Sequence, residues 1–565
     1  MKQLETAARE VFREYENGIR FKNRLGRRGL YEQRRINERF FTGDQWHGAR
    51  SGDDRPLVRH NVIKRIGEYK MATVGTGPVA VSYSADGVPA AAGSSAAAGS
   101  SAAAGSSAAA GTGGRLAARW GNTAGSRPRN DEEINLAMEA LTRYFRVTAE
   151  RVKLDDIRET ALRDAYIAGT GVVYTYWDGE TATGLYADRE RRIPIRGDIA
   201  CEALDIADVY FGDPEEENVQ KQPSILIARR CRSDEVRREM ERHRADGTAA
   251  VRPLPEEAGE EKATVLTRFW KESREGETVV MAAKYCRGED GPVTVRPPWN
   301  TGLRLYPLAV FRWDRRRGCA YGESEITHLI PNQIAINRML TASVWSVMAA
   351  GMPIMVVNGD VVTEPITNDP GQVVRVFGGG EETGQAIRYV DPPAFSARLD
   401  DHTDSLIEST LNQAGANSAL LGDIRPDNTS AILAVREAAV LPLKAVQSRY
   451  YSFCEDIARV WAEFWVTQYG RRPLKIWEDG GTVYLSFDGQ RYRDLLIGAR
   501  VDVGAATLWN ESQTMQVLDG LLDRGVINSI QYLERLPKGI VPDLGGLIRE
   551  GMRRKEGQGG EEAAR

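Results

Sequence analysis

The spacing of hydrophobic residues divides the chain into helical blocks and strand-like blocks. The first 75 residues are predicted to be helical, because Arg9–Arg39 is densely charged and its apolar residues recur on one helical face. An aromatic-rich turn follows at Phe40–Trp46. Asn61 then stands where an N-cap is expected for a helix that begins at Val62. Asp131–Gly169 repeats the helical pattern, so helices are expected to dominate the N-terminal region.

The pattern changes after Gly169 to segments rich in β-branched and aromatic residues. Glycine, aspartate and proline bound these segments, which is typical of strands. The segments are Gly169–Asp178, Gly197–Pro214, Ser224–Ser233, 264–273 and 279–288. They predict a mixed region that ends near Gly318.

A helix is predicted from Ser324 to Gly351, and Pro331 in its first turns is expected to kink or restart it. Beyond the proline, apolar residues at spacings of four, four and three form one stripe: Ile336, Leu340, Val344 and Val347. Residues 353–391 then have the pattern of strands and turns. Ala397–Gly415 is predicted to be a further helix.

A polar loop, Ala416–Ser430, precedes a much longer helical pattern that continues to Tyr469. Pro426 prevents helix in the loop, so the helix is expected to begin at a cap just beyond it, at Asp427 or Asn428. Roughly 40 residues would span about 60 Å, and Pro442 is expected to kink the helix. Strands are predicted again within 475–489 and 499–507, followed by short helices.

Composition narrows the possible functions. The 565 residues include 42% hydrophobic and 27% charged side chains, which is enough for several folded domains. The formal net charge of −4 gives no global basic field, so any contact with nucleic acid must be local or weak. The five cysteines are scattered without a CxxC pair and are expected to be free thiols. Ala90–Gly114 repeats GSSAAA and is interpreted as a flexible insertion, either native or introduced.

Motifs for catalysis are missing or incomplete in the sequence. There is no GxxxxGK[ST] phosphate loop, Gly169–Tyr174 fails the dinucleotide pattern, and GESEI fails the GxSxG nucleophile elbow. Ser324 and His328 are one helical turn apart, but a nucleophile needs a base that a third group orients, and no residue is indicated for that role. The alternative interpretation is that Ser324 caps a helix whose positive end Glu325 favours. No catalytic residue, cofactor or metal ligand is therefore predicted.

Two other functions stay open on weaker grounds. The abundance of aspartate and glutamate is compatible with a metal-dependent enzyme that processes nucleic acid, although no spacing supports a site. The uncharged run from Met339 to Gly359 is compatible with a membrane-associated oligomeric pore. Polar residues and Pro353 interrupt that run, which favours a buried helix followed by a strand.

The order of elements resembles the portal (head–tail connector) proteins of tailed bacteriophages. Four regions, spread over most of the chain, carry the resemblance by their order and spacing rather than by any single diagnostic motif. They are the Gly43, Gln45 and Trp46 turn with Arg55, Pro56 and Asn61, then Gly197–Pro214, Tyr306–Met339 and Asn428–Trp465. The Ala90–Gly114 repeat departs from the family pattern.

The resemblance implies an α+β fold that is mainly helical, with wing, stem, clip and crown regions and one very long kinked helix. Its parts would follow the chain in this order: wing 1–320 with the low-complexity insert 90–114, stem helix 321–352, clip 353–391, stem helix 392–415, tunnel loop 416–430, long helix 431–470, wing strands 471–505, crown 506–556 and disordered tail 557–565.

The resemblance also implies partners and candidate sites. Family members form homo-oligomeric rings of about twelve subunits with cyclic symmetry. The ring sits at one capsid vertex of the virion, after assembly in the host cytoplasm. It passes double-stranded DNA without sequence preference, and it contacts the large terminase, a head–tail adaptor, and the major capsid and scaffolding proteins. The implied DNA-channel residues are Asn417, Asp423, Arg425 and Asn428, and the implied clip residues for adaptor and terminase are Arg375, Glu381 and Glu382.

Charge and helix length fit such a conduit. Each neutralised phosphate adds affinity that resists sliding, so a channel for duplex DNA should offer few cations. A slightly acidic chain with a few positive residues near the tunnel loop, such as Arg425, meets this need. Long helices whose apolar faces are only half covered within one subunit would complete their burial against neighbouring copies.

The tunnel-loop assignment predicts the effect of Arg425→Glu. A carboxylate facing DNA would repel the phosphates, so we expect impaired packaging or retention of DNA in rings that still assemble. Imaging of the particles and measurement of packaged DNA separate the two effects. Failure of the variant to assemble would place Arg425 in a subunit interface instead.

Overall fold

The structure is a computed structural model. The described residues are 2–48, 56–75, 79–85, 131–188, 193–243, 261–274, 276–288, 291–351, 354–360, 362, 365–366, 375, 386–390, 398–416, 441–478, 481–502, 518–525, 527 and 532–533.

The fold is mixed α+β, with more residues in helices than in strands, which confirms the predicted class at this level. The chain forms two compact units. Unit 1 comprises residues 1–32, 71–324 and 443–565, and unit 2 comprises 33–70 and 325–442. The change of unit at 324/325 falls close to the expected start of the stem at 321. Residues 33–70 belong to unit 2, although the resemblance assigned them to the wing.

The N-terminal region contains three helices, α1 (Lys2–Arg24), α2 (Leu30–Thr42) and α3 (Val62–Gly75). The charged pattern of Arg9–Arg39 is therefore split between two helices. Gly26 and Gly29 both have positive φ in the turn between them. A side chain on Gly29 would also lie 2.7 Å from the carbonyl oxygen of Asn23, so this turn requires glycine.

The first sheet of unit 1 has three antiparallel strands in the order β3-β2-β9. Two helices precede it, and a separate strand pairs antiparallel with the later segment Ile497–Asp502. These elements are β1 (Ala80–Ala85), α4 (Asp131–Val152), α5 (Leu154–Ala168), β2 (Thr170–Asp188), β3 (Ile193–Leu204) and β9 (Leu308–Arg312).

The second sheet of unit 1 is a five-stranded antiparallel meander in the order β4-β5-β6-β7-β8. Three of its strands correspond to the predicted segments Ser224–Ser233, 264–273 and 279–288, whereas Gly169–Asp178 lies in the first sheet and Gly197–Pro214 is divided between the two sheets. The strands and one short helix are β4 (Val209–Phe211), β5 (Ser224–Arg232), α6 (Ser233–Arg242), β6 (Lys262–Arg274), β7 (Glu277–Gly288) and β8 (Gly291–Asn300).

The main helix of unit 1 is α9 (Lys444–Gln468), which buries Trp461, Trp465 and ten further residues. A 3-10 turn, Leu441–Leu443, precedes it and contains Pro442. Proline is tolerated there because the first helical turns have no internal partner for its missing N–H. The predicted caps at Asp427 and Asn428 lie outside the described residues. Three strands follow: β12 (Arg471–Glu478), β13 (Gly481–Asp488) and β14 (Ile497–Asp502).

Two buried carboxylates form hydrogen bonds between the C-terminal part of α9, including the residue after it, and other parts of unit 1. Glu463 accepts hydrogen bonds from the backbone and the guanidinium of Arg304, at N···O distances of 2.8 to 3.0 Å. Asp198 on β3 accepts from the Tyr469 hydroxyl and pairs with Arg151 at 3.1 Å. Because breaking a buried pair costs about 3–5 kcal/mol, these contacts fix the position of the helix.

In the part of unit 2 that follows residue 324, the described residues form a helix, a two-stranded hairpin and a second helix. They are α7 (Ile326–Gly351), β10 (Ile354–Val357), β11 (Ile387–Val390) and α8 (Arg398–Gln413). The strands pair antiparallel from Ile354↔Val390 to Val357↔Ile387. The Ser343 hydroxyl of α7 donates to Asp400 of α8 at 2.9 Å. Helix α7 continues through Pro331, where a kink or restart was expected.

Two composition-based expectations can be compared with the structure. The five cysteines are free, and Cys286, Cys319 and Cys454 are buried. Within the described part of the chain, no helix is long and apolar enough to cross a membrane, and this includes α7.

Lys22 is a fully buried cation-bearing side chain near the end of α1. Its Nζ donates to the carbonyl oxygens of Ile206 and Ala207, both at 2.8 Å, and lies 3.5 Å from the centre of the Tyr210 ring. Burial lowers the pKa of Lys22 well below its ordinary value, and the nearby carboxylates of Asp208 and Asp205 oppose this shift. A neutral amine still has two N–H donors, which match the two carbonyl acceptors.

The lowered pKa predicts how stability depends on pH. Unfolded lysine titrates near a pKa of about 10.4, so below that pH and above the folded pKa the unfolded state binds the extra proton. Stability then rises with pH across this alkaline window. We expect the urea midpoint of the wild type to rise relative to that of Lys22→Met between neutral pH and about 10. The exposed Lys64→Met is the control, and parallel pH curves for Lys22→Met and wild type would contradict the assignment.

Candidate functional site

Ser324, which was considered above as a nucleophile beside His328, has a structural role. Ser324 is buried, and its hydroxyl donates to the carbonyl oxygen of Tyr166 at 2.6 Å. Helix α7 begins at Ile326, so Glu325 rather than Ser324 stands immediately before its first residue. His328 is exposed on the first turn of that helix. Sequence reasoning anticipated a helix start here but not the hydrogen bond to Tyr166.

The two glutamates on either side of Ser324 form ion pairs. Glu323 pairs with Arg316 at 2.9 Å, and Glu325 pairs with Lys70, whose side chain is buried. In the described ranges, no three His, Cys, Asp or Glu side chains are grouped so that they could hold a metal ion. Residues 323–325 therefore contribute a buried hydroxyl and two ion pairs.

A ladder of buried polar side chains on α7 is the most specific arrangement in unit 2. We call Gln333, Asn337 and Thr341 the polar ladder, because they are four residues apart and lie on one helical face. The side-chain amide oxygen of Gln333 accepts hydrogen bonds from the backbone N–H groups of Val62 and Ile63, at 3.0 and 3.2 Å. These N–H groups begin α3 and have no acceptor within that helix.

Asn61 satisfies the next amide of α3. Its side-chain oxygen accepts from the Lys64 backbone N–H at 3.0 Å, which confirms the predicted N-cap. Its amide nitrogen donates to the carbonyl oxygen of Phe41 at 3.0 Å. Together, Asn61 and Gln333 satisfy the first three amides of α3, one from within the segment and one from a distant helix.

The rest of the polar ladder holds the extended segment that leads into α3. Asn337 accepts from the His60 backbone N–H at 3.1 Å and donates to the Gln45 side chain at 2.6 Å. The Thr341 hydroxyl oxygen accepts from the Val58 backbone N–H at 3.1 Å. These contacts explain why glutamine and asparagine occur at positions 45 and 61. A polar repeat at spacing four inside an otherwise apolar helix was a signal that the sequence reasoning did not use.

The face of α7 that carries the polar ladder changes character toward its C-terminal end. Val344 and Met348 continue the spacing of the polar ladder by three and four residues, and Val347 lies beside them. Their exposed fractions are 36% for Val344, 62% for Val347 and 45% for Met348. We call these three residues the apolar patch. The predicted stripe therefore begins buried at Ile336 and ends exposed.

The sequence-derived site residues fall mostly outside the described part of the chain. This applies to all four channel candidates, Asn417, Asp423, Arg425 and Asn428, and to Glu381 and Glu382. Arg375 is described and exposed, in the segment between β10 and β11. These assignments stay predictions.

Comparison with known proteins adds no family assignment. No protein-family model matches the chain, and no curated protein matches it. The argument about function therefore depends on the residues and contacts of this chain.

Removal of the Gln333 side-chain amide tests the polar ladder. Gln333→Leu removes the side-chain acceptor of the buried Ile63 amide, whereas the Val62 amide keeps the His60 carbonyl oxygen at 2.9 Å, so we expect a loss of about 1–3 kcal/mol in the stability of unit 2. The exposed Arg338→Gln on the same helix should change stability by less than about 0.5 kcal/mol. Urea unfolding followed by hydrogen exchange of the α3 amides measures both. Unchanged protection of Val62 and Ile63 in Gln333→Leu would contradict the assigned role.

Proposed function

We propose that this chain is a subunit of a ring-shaped phage portal, a structural conduit for double-stranded DNA during packaging and ejection. The observation that carries the proposal is the apolar patch on α7. This patch lies on a helix that leads directly into the β10–β11 hairpin, from which α8 returns. A helix, hairpin and helix in this order is what the family resemblance implies for stem and clip.

The apolar patch is assigned to a second copy of this chain. It lies within a run of 21 residues, from Met339 to Gly359, that contains no charged side chain. The same helical face is covered within unit 2 as far as Thr341, so the exposed part continues a surface that is already buried. Head-to-tail contacts repeated around an axis would cover it in every subunit and close a ring.

The charge distribution supports passage of DNA rather than its retention. A net charge of −4 on 565 residues cannot neutralise many phosphates, and strong binding would slow a sliding duplex. The proposed channel contacts remain the tunnel-loop residues that the sequence indicated. The exposed Arg375 between the hairpin strands is the described candidate for contact with the terminase or the head–tail adaptor.

The other expectations of the family form part of the proposal. The ring would sit at one vertex of the virion and would contact the capsid and scaffolding proteins during assembly in the host cytoplasm. No arrangement of the described residues specifically favours the metal-dependent enzyme or the membrane pore. In this proposal the protein acts by assembling into a ring, and no cofactor takes part.

The assignment of the apolar patch to a second copy predicts that Val347→Glu blocks assembly. Burying an unpaired carboxylate in an interface costs several kcal/mol, so the assembled fraction should fall by at least about tenfold. Ala342→Glu is the matched control, because Ala342 is exposed on another side of α7. We expect annular particles with a central hole for wild type and Ala342→Glu in negative-stain images.

Two outcomes would contradict this proposal. Wild-type protein that stays monomeric at every salt and protein concentration would remove the basis for a portal. Rings of Val347→Glu that are as abundant as wild-type rings would remove the apolar patch from the interface. Hydrogen exchange of α7 in the variant establishes that the helix remains folded.

A further inference from the structure

A cavity of about 400 Å³ lies in unit 1, lined by residues of both sheets and of α9. This volume is within the range of about 300–1,000 Å³ that is typical of small-molecule sites. The proposed conduit function does not use the cavity. Its lining combines aromatic rings with two cations, and the residues that decide its chemistry are Tyr174, Tyr176, Phe269, Lys284, Arg296 and Trp299.

The two cations face each other across neighbouring strands. Lys284 on β7 is directly opposite Arg296 on β8, and the register of the pair shifts on both sides of Lys284. Like charges in directly opposite positions destabilise a sheet, so negative charge nearby favours this pairing. Irregularities of this kind are common beside binding sites, where they redirect a side chain.

Among the described residues, only one of the two cations has a carboxylate in ion-pair contact. The Lys284 ammonium pairs with Glu239 of α6 at 2.7 Å. The Arg296 guanidinium stacks on the Trp299 ring at 3.8 Å from its centre, and among the described residues it makes no hydrogen bond or ion pair. Burial lowers the pKa of Arg296, and the attraction of Glu239 opposes this only in part. The N–H donors in the plane of the Arg296 guanidinium are therefore available to a ligand.

Aromatic rings also contribute to the lining. Tyr174 and Tyr176 are stacked, with centres 5.4 Å apart and planes 24° apart. Phe269 lies 6.0 Å from the Tyr174 ring. Burial raises the pKa of Tyr174 to about 12, so its phenol stays neutral and adds no negative charge near the cations. Such faces favour a flat, polarisable group.

We propose that this cavity binds a small planar aromatic anion of the size of a nucleoside monophosphate. The ring of the ligand packs against the aromatic side chains, and its phosphate or carboxylate bonds to Arg296 beside Lys284. Guanidinium suits this role because it can donate two parallel hydrogen bonds to one anionic group. The ligand anion relieves the repulsion between the two opposed cations.

Calorimetric titration of the full-length protein tests the proposal with four probes. Adenosine monophosphate and indole-3-acetate each combine a ring with an anion. Adenosine supplies the ring alone, and ribose 5-phosphate supplies the anion alone. We expect the two combined probes to bind with an affinity at least about tenfold higher than either partial probe, because ring and anion contacts contribute together.

Substitution of Arg296 locates the site. Arg296→Gln should weaken binding of the combined probes by at least about tenfold, since a charge-assisted bidentate contact is lost. Arg296→Lys keeps the charge and should weaken binding less. Arg274→Gln, at an exposed arginine of the same sheet, should bind as wild type does. Circular dichroism and thermal melting establish that each variant is folded.

Three results would overturn the proposal. The first is no heat of binding for any combined probe at millimolar concentration. The second is ribose 5-phosphate binding as tightly as adenosine monophosphate, which would mean that the aromatic lining is not used. The third is unchanged binding in both folded Arg296 variants. None of these results depends on ring assembly, so the test is independent of the conduit function.

Discussion

Backbone amides at the beginning of a helix have no partner within that helix, and this constraint organises the described part of unit 2. Val62 and Ile63 at the start of α3 are buried, and an unsatisfied buried N–H costs about 1–3 kcal/mol. Gln333, on a helix about 270 residues further along the chain, accepts hydrogen bonds from both of these amides. Asn61 accepts a hydrogen bond from the next amide, that of Lys64. The extended segment before α3 is therefore bound to one face of α7, and the identity of that face follows from hydrogen bonding rather than from hydrophobicity.

Local features of this fold could be predicted from the sequence, and long-range ones could not. Strands β2 to β7, the start of α3 and the end of α9 follow from local residue patterns and capping, which depend on neighbouring residues, whereas β8 and β9 were not predicted. The turn between α1 and α2 had a local signal in Gly26 and Gly29, but the continuous charge pattern obscured it. Ser324 had the sequence context of a cap, yet a contact with Tyr166 in another helix determines its orientation.

The candidate sites show the same limit. The pairing of Lys284 with Arg296 depends on strand register, and a shift of one residue would place different side chains opposite each other. No pattern in the sequence indicated that register. Likewise, Gln333, Asn337 and Thr341 are ordinary polar residues until the segment 56–63 is placed beside them. The stripe that began at Ile336 was correctly expected to be apolar, but only the structure shows that its far end is exposed.

The face of α7 combines two kinds of contact that respond differently to displacement. Hydrogen bonds of the polar ladder are directional, so a shift of one ångström along the helix would break them. In the proposed ring, contacts at the apolar patch would be non-directional and would tolerate such a shift at little cost. A copy of the chain that docks there could slide or tilt while the subunit beneath it stays rigid. Small differences in rotation between neighbouring subunits would then be absorbed at the junctions, without any change inside a subunit.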